Sequence, residues 1–258
     1  MSIIRDEVKY FLELLWIMTE KELKARYKRT LLGILWLVAN PFLQMIVIGF
    51  IFTFIIKKPI KNYYFYLFIG LLVWNFFSTS LIRATSSIVY ERSLIKKSVF
   101  PKSVIPLSVI LSNFVHFVLA LIIFSIPVLF IDTFYLAKIP YFFYAMVFLF
   151  ILTIGLSLII SALNVRYRDV NFLVQAILLI WFYATPIIYT FSFIPHKLIW
   201  MWRFNPMTSI VQSFQTVFAD AASPSLTMML INSLVILTTM FIGIRVFQKK
   251  SRYFDDWL

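Results

Sequence analysis

Cysteine is absent from the 258-residue chain, which excludes disulfides, thiolate metal sites and cysteine nucleophiles together. His116 and His196 are the only histidines, too few for a zinc or haem cluster. The five glycines stand at 33, 49, 70, 155 and 243, and no pair has the spacing of a phosphate-cradling loop or a dinucleotide fingerprint. Charge is scarce too: 14% of residues, against about 25% in soluble domains. Acids are scarcer than bases, 11 against 24, for a net charge of +13. In a soluble protein that excess would point to nucleic acid. Here 62% of residues are apolar, which leaves too little polar surface for a soluble fold. No nucleic acid is expected, and the bases belong in loops beside a bilayer. No catalytic residue, metal or chain-bound cofactor is expected, because no triad, carboxylate pair or ligand set converges anywhere in the sequence.

What is abundant is apolar length. A membrane-crossing helix needs about 20 apolar residues. Six runs without a charge reach it: 31–56, 62–82, 103–131, 139–165, 170–195 and 221–244. The fold class read from them is all-α integral membrane, since lipid tolerates no open sheet edge. Residues 31–258 form one six-span domain. A seventh run, 204–219, is shorter and carries Asn205-Pro206, Gln212 and Gln215. Six crossings place 18 Lys and Arg on the side of the termini and 6 on the other. The positive-inside bias therefore predicts both termini in the cytoplasm. A seventh crossing would export the basic tail, so 187–219 reads as short re-entrant or interfacial helices outside, between spans five and six.

Residues 1–30 read as an amphipathic helix along the inner leaflet, with Ile4, Val8, Phe11, Leu12, Leu15 and Leu23 as its apolar stripe. Glu20 with Lys24 and Glu22 with Arg26 stand at i,i+4. The six runs hold no Asp, Glu, Lys or Arg, and proton- or ion-coupled carriers keep such groups at mid-membrane. Asn40-Pro41 near the middle of span one and Thr185-Pro186 in span five are expected kinks, either static or mobile. Tyr63, Tyr64, Tyr66, Trp200 and Trp202 read as interfacial belts. Trp181, Tyr183, Tyr189, Phe191 and Phe193 form either core and belt or an aromatic track on which sugar rings could stack. A transporter-like bundle with neither ion coupling nor a nucleotide site must borrow its driving force from a companion protein.

Several segments in order resemble the type-two ATP-binding-cassette export permeases for polysaccharides, which export O-antigen, capsule and teichoic acid. They are Arg26-Tyr27-Lys28-Arg29, Leu32-Gly33, Trp36, Asn40-Pro41 and Gln44, then Leu94-Ile95-Lys96-Lys97, Phe100-Pro101-Lys102 and Pro106. Arg166-Tyr167-Arg168-Asp169, Thr185-Pro186-Ile187-Ile188-Tyr189, Ile194-Pro195 and Asn205-Pro206 complete the series. The resemblance implies a homodimer of six-span permease subunits in the bacterial inner membrane. Two copies of a separate ATPase subunit, carrying ATP and Mg, would drive it. The cargo would be a polysaccharide on a polyprenyl diphosphate lipid.

Within loop 83–102 the resemblance implies a coupling helix over 91–102. Glu91, Arg92, Lys96, Lys97 and Lys102 would pair at the ATPase surface, with Phe100-Pro101 as an apolar plug. Arg26, Tyr27, Lys28 and Arg29, beside the Leu32-Gly33 break, would receive the lipid headgroup, although generic attraction to anionic lipid explains the same bases. Asn40, Pro41, Trp181, Tyr183, Thr185, Pro186, Tyr189, Phe191 and Phe193 would line the channel, with 187–219 as outer gate. A type-two permease for small lipophilic drugs or lipids shares this architecture. A membrane transferase would need an acid site from Asp132 or Asp220.

Overall fold

Every backbone polar group in lipid must be satisfied within the chain, and the chain meets that demand with helices. The computed structural model describes residues 2–27, 35–55, 62–128, 136–190, 193–194, 197 and 199–258, and among these there is no strand. The helices are α1 (Ser2–Tyr27), α2 (Trp36–Ile55), α3 (Tyr63–Tyr90), α4 (Arg92–Lys97), α5 (Val104–Val128) and α6 (Ile139–Arg166). They continue with α7 (Val170–Tyr183), α8 (Ile199–Phe204), α9 (Pro206–Ala219), α10 (Leu226–Ser251) and α11 (Phe254–Trp257). Among the described residues, α3, α5, α6 and α10 are long and apolar enough to cross a membrane, while α2 and α7 carry shorter apolar stretches.

Helix α3 is the axis of the bundle, packing against α2, α5, α6, α7 and α9. Its apolar run stops at Ile82, yet the helix continues to Tyr90. The charge at Arg83 does not end it because Glu22 of α1 accepts from the guanidinium at 2.7 Å. Helix α2 carries Pro41 at its sixth position without interruption. The expected mid-span break is therefore absent from the described part of that helix. Helices α6 and α10 meet backbone to backbone. A Cβ built on Gly155 would lie 2.8 Å from Met240 Cα, and one on Gly243 would lie 3.0 Å from the Gly155 carbonyl carbon. Such small-residue seams substitute for the hydrophobic drive that lipid cannot supply between helices.

Helix α7 departs furthest from its apolar run. It ends at Tyr183 instead of reaching 195, and its 14 residues cover about 21 Å at about 1.5 Å each. Proline removes a backbone donor and biases the preceding residue away from helix. Thr185 also turns its Oγ1 back onto the Trp181 carbonyl at 2.9 Å. Thr185-Pro186 thus terminates the helix; it does not kink it.

In α9 every residue but Gln212 is buried, so the second half of 187–219 lies inside the bundle between α3, α6 and α10. Two apolar clusters result. The larger surrounds α3, α5, α6 and α9 with rings such as Phe77, Phe117 and Phe214. The smaller gathers Met18, Ile88, Ile95, Ile105, Phe247 and Phe254 at the α4 end.

Candidate functional site

Three places carry the polar and charged side chains. The first is the α4 end. Glu91 links two helices: its amide donates to the Ser87 carbonyl of α3 (3.1 Å) and its carbonyl accepts from Leu94 of α4 (3.0 Å). Its carboxylate takes Lys21 of α1 at 2.5 Å. Lys102 bonds Asp255 at 2.6 Å and reaches the Ser251 carbonyl at 3.3 Å. Phe254, fully buried, packs edge-on against Phe247. Arg166 and Lys250 lie over the Trp257 ring at 5.4 and 5.7 Å. The C-terminal segment therefore straps the 100–102 turn to α6 and α10.

This arrangement reorients the coupling residues. Arg92, Lys96, Lys97 and Pro101 are exposed, but Glu91 and Lys102 are engaged inward, and Phe100 packs on the smaller cluster. The apolar groups that project are Tyr90, 81% exposed, and Val99, fully exposed. Sequence reading missed both, because a lone Tyr and a lone Val in a basic loop carry no periodic signal. It also missed Arg83, which it assigned to a loop.

Helix α1 shows the same division. Phe11, Leu14, Leu15 and Met18 face the protein, while Val8, Leu12 and Trp16 stand exposed at i,i+4 spacing. The single stripe expected from sequence is thus two, one for protein and one free to enter a lipid interface. Glu20 pairs with Lys24 at 2.5 Å. The side chains of Arg26 and Tyr27, and all of Lys28, Arg29, Leu32 and Gly33, lie outside the described residues.

The second place is the turn after α7. Asn205 is its hub. Its Oδ1 accepts from Trp181 Nε1 (2.8 Å) and from the Met207 amide (3.1 Å), capping α9. Its Nδ2 donates to the Ala184 carbonyl (3.0 Å) and Thr185 Oγ1 (3.1 Å). The carbonyls of the turn from Pro186 to Tyr189 are met from α3 and α9. Tyr66 donates to the Tyr189 carbonyl at 2.8 Å, with the Pro186 carbonyl at 3.2 Å. Gln215 donates to Pro186 at 3.3 Å. Tyr63 donates to Ile188 at 3.1 Å, and Trp202 donates to the Tyr189 hydroxyl at 3.0 Å.

Tyr66 is buried and Tyr63 half-buried, so both anchor this turn and do not form a belt. Trp181, Thr185, Pro186 and Tyr189 come together here; Tyr183 and Phe193 are exposed; Phe191 lies outside the described residues, as do Pro195 and Asp132. Asp220 ends α9 and accepts from Lys138 at 2.7 Å.

The third place is a cavity of about 140 Å³ between α2, α3 and α5, onto which Asn40 and Pro41 open. It is separate from the Trp181 cluster, so the residues expected along one channel divide between two sites. Among the described residues no group of acids and histidines could hold a metal ion.

Long apolar helices with a basic helix at one end and a hydrogen-bonded turn at the other are the build of a helical membrane protein. The chain belongs to the ABC-2 type transporter family, whose sequence profile matches residues 13–219. It is a multi-pass membrane protein, and membership implies a separate ATP-binding partner subunit. It is 32% identical over 260 residues to an O-antigen export system permease protein, RfbA, of Myxococcus xanthus, covering 97% of each chain. Two RfbA proteins of Klebsiella pneumoniae are 33% and 32% identical over 217 and 220 residues, 82% of each chain.

Proposed function

We propose that this chain is the membrane subunit of an ATP-driven exporter that moves a polyprenyl-diphosphate-linked polysaccharide of the O-antigen kind out of the cytoplasm. The observation that carries this reading is near full-length similarity to O-antigen export permeases. In this reading α2 and α7 join α3, α5, α6 and α10 as six crossings of the inner membrane, with both termini cytoplasmic. Two copies form the conduit, two ATPase subunits dock beneath, and ATP and Mg are held there. Arg92, Lys96 and Lys97 supply charge to each docking contact, and Tyr90 and Val99 supply its apolar grip. Arg26 to Arg29 receive the diphosphate, and the Asn205-centred turn is the outer gate.

The direct test is reconstitution with the cognate ATPase in inverted vesicles, following ATP-dependent uptake of lipid-linked glycan. Uptake that requires both subunits is expected. Uptake of small lipophilic dyes but no glycan would overturn the assignment of cargo. Arg26→Ala with Arg29→Ala is expected to reduce glycan flux at normal membrane abundance, and unchanged flux removes the headgroup role.

A further inference from the structure

The cavity between α2, α3 and α5 differs in kind from its surroundings. Asn40, Asn75, Thr79, Asn113 and His116 converge on it from three helices, and Trp36 stands half-exposed at its rim. Asn75 donates to Gln44 at 3.3 Å, and Gln44 to Asn40 at 3.4 Å, a ladder of amides linking α2 to α3. One step along the same helices, Val38, Phe42, Met45, Tyr64, Phe68 and Phe124 line a groove of about 430 Å³ that is almost wholly apolar. These three helices therefore pack without polar groups where none are needed. Polar side chains at membrane depth are costly and mark interhelical bonds, pathways and ligands; the amide ladder joins α2 to α3, and all five groups line one hollow.

The lining selects the ligand. No Asp, Glu, Lys or Arg lines the cavity among the described residues. The cation next along α3, Arg83, is held by Glu22, so a diphosphate finds no fork there. A prenyl chain has no use for five polar groups. Amides, a hydroxyl and an imidazole supply paired donors and acceptors, and an indole at the rim supplies a stacking face. Together they match a neutral ring bearing several hydroxyls. The volume is well above the roughly 10–15 Å³ that one water requires.

We propose that this cavity is a subsite for a single neutral sugar ring, lined by three helices of one subunit. The inference rests on the export reading, because a transported glycan is what would present sugar rings to a cavity at this depth.

The chain has no cysteine, so Thr79→Cys gives it a single thiol, and labelling is read on this chain after it is separated from the ATPase. The transporter, assembled with its ATPase in nanodiscs, is treated with a charged methanethiosulfonate. A panel of methyl pyranosides (gluco, galacto, manno and rhamno) serves as protectant. Rapid labelling is expected, slowed hyperbolically by at least one pyranoside. Protection scales as 1 + [L]/Kd, so labelling slows about threefold at twice the half-protecting concentration. Asn75→Leu in the same background is expected to remove the protection while leaving labelling intact. Ile122→Cys, facing outward on α5, should resist the reagent, and Ser223→Cys, exposed between α9 and α10, should label with no protection.

Absence of labelling in the Thr79→Cys complex, or labelling that no pyranoside slows, overturns the subsite. So does protection that survives Asn75→Leu. If glycan uptake by the wild-type complex persists in those cases, the export reading stands without the cavity. Pyranoside protection of Thr79→Cys in a complex that exports no glycan would instead overturn the export reading and keep the sugar site.

Discussion

Replacing Gly243 by valine attacks the seam where α6 and α10 touch through backbone. A Cβ there lies 3.0 Å from the Gly155 carbonyl carbon and closer still to its oxygen, whereas ordinary contact begins at 3.4 Å. Neither atom belongs to a side chain that could rotate away, so α6 and α10 must part by on the order of 1 Å. A gap of that size forfeits about a quarter to a half of the dispersion energy along the facing surfaces, and overpacking costs about 1–3 kcal/mol. Helix propensity returns at most about 1 kcal/mol when glycine is replaced. Gly49→Ala is the internal control: its Cβ would meet Tyr64 Cε1 at 2.7 Å, the far end of a ring that can swing aside. Thermal unfolding in nanodiscs, read by loss of monodisperse protein, should rank wild type and Gly49→Ala together, with Gly243→Val clearly below. A Gly243→Val protein that unfolds with wild type, or a Gly49→Ala protein that falls lower, would refute the close-packed seam.

Asn205→Ala removes an N-cap worth about 1 kcal/mol and strips the half-buried Trp181 Nε1 of its acceptor, at about 1–3 kcal/mol, while the Ala184 carbonyl is exposed and can turn to solvent. Limited proteolysis between 184 and 205 should accelerate, with Asn205→Asp intermediate because it keeps only the acceptor. Tyr90→Ala with Val99→Asp should reduce ATPase recovered with the purified chain while leaving its thermal midpoint unchanged, since both side chains are exposed. Phe254→Ala should release the C-terminal strap to protease, a buried phenylalanine being worth about 3–5 kcal/mol. Asp255→Asn should change little, because the Asp255 side chain is 57% exposed, the asparagine oxygen still accepts from Lys102, and exposed pairs contribute about 0–1 kcal/mol.

Elements whose extent is set by the solvent were legible from sequence. The uncharged run 139–165 became α6 (Ile139–Arg166), and 103–131 contains all of α5, because lipid forces helix on any long apolar segment. Boundaries set by tertiary partners were not. Arg83 ends an apolar run but not a helix, since Glu22 arrives from 61 residues away. Thr185-Pro186 was visible as a defect, yet the turn that follows depended on Asn205, Tyr66 and Gln215 donating to the carbonyls of Ala184, Tyr189 and Pro186. The basic character of α4 was readable from composition. Which of its neighbours face outward was not, because Phe100 and Lys102 are drawn in by a C-terminal segment about 150 residues distant, with no local signal for that pairing.

These distant pairings make α3 a mechanical member. Its 28 residues form one uninterrupted helix of about 42 Å at about 1.5 Å per residue. At one end it is joined to α4 through Glu91, which caps both helices and holds Lys21. At the other, Tyr63 and Tyr66 hold the turn that carries Ile188, Tyr189 and Pro186. Interior packing is dense and interdigitated, so a buried helix shifts as a unit and does not bend locally. Among the residues of α3, Leu67, Ile69, Val73, Phe77, Ala84 and Ile88 are fully enclosed. A push on α4 therefore reaches Tyr66 as displacement of the whole rod. The hydrogen bonds at the far turn are the first contacts that must break or follow, since α7 ends where they begin. The docking helix and outer gate proposed above would then stand at the two ends of one uninterrupted helix and need no relay of side chains between them.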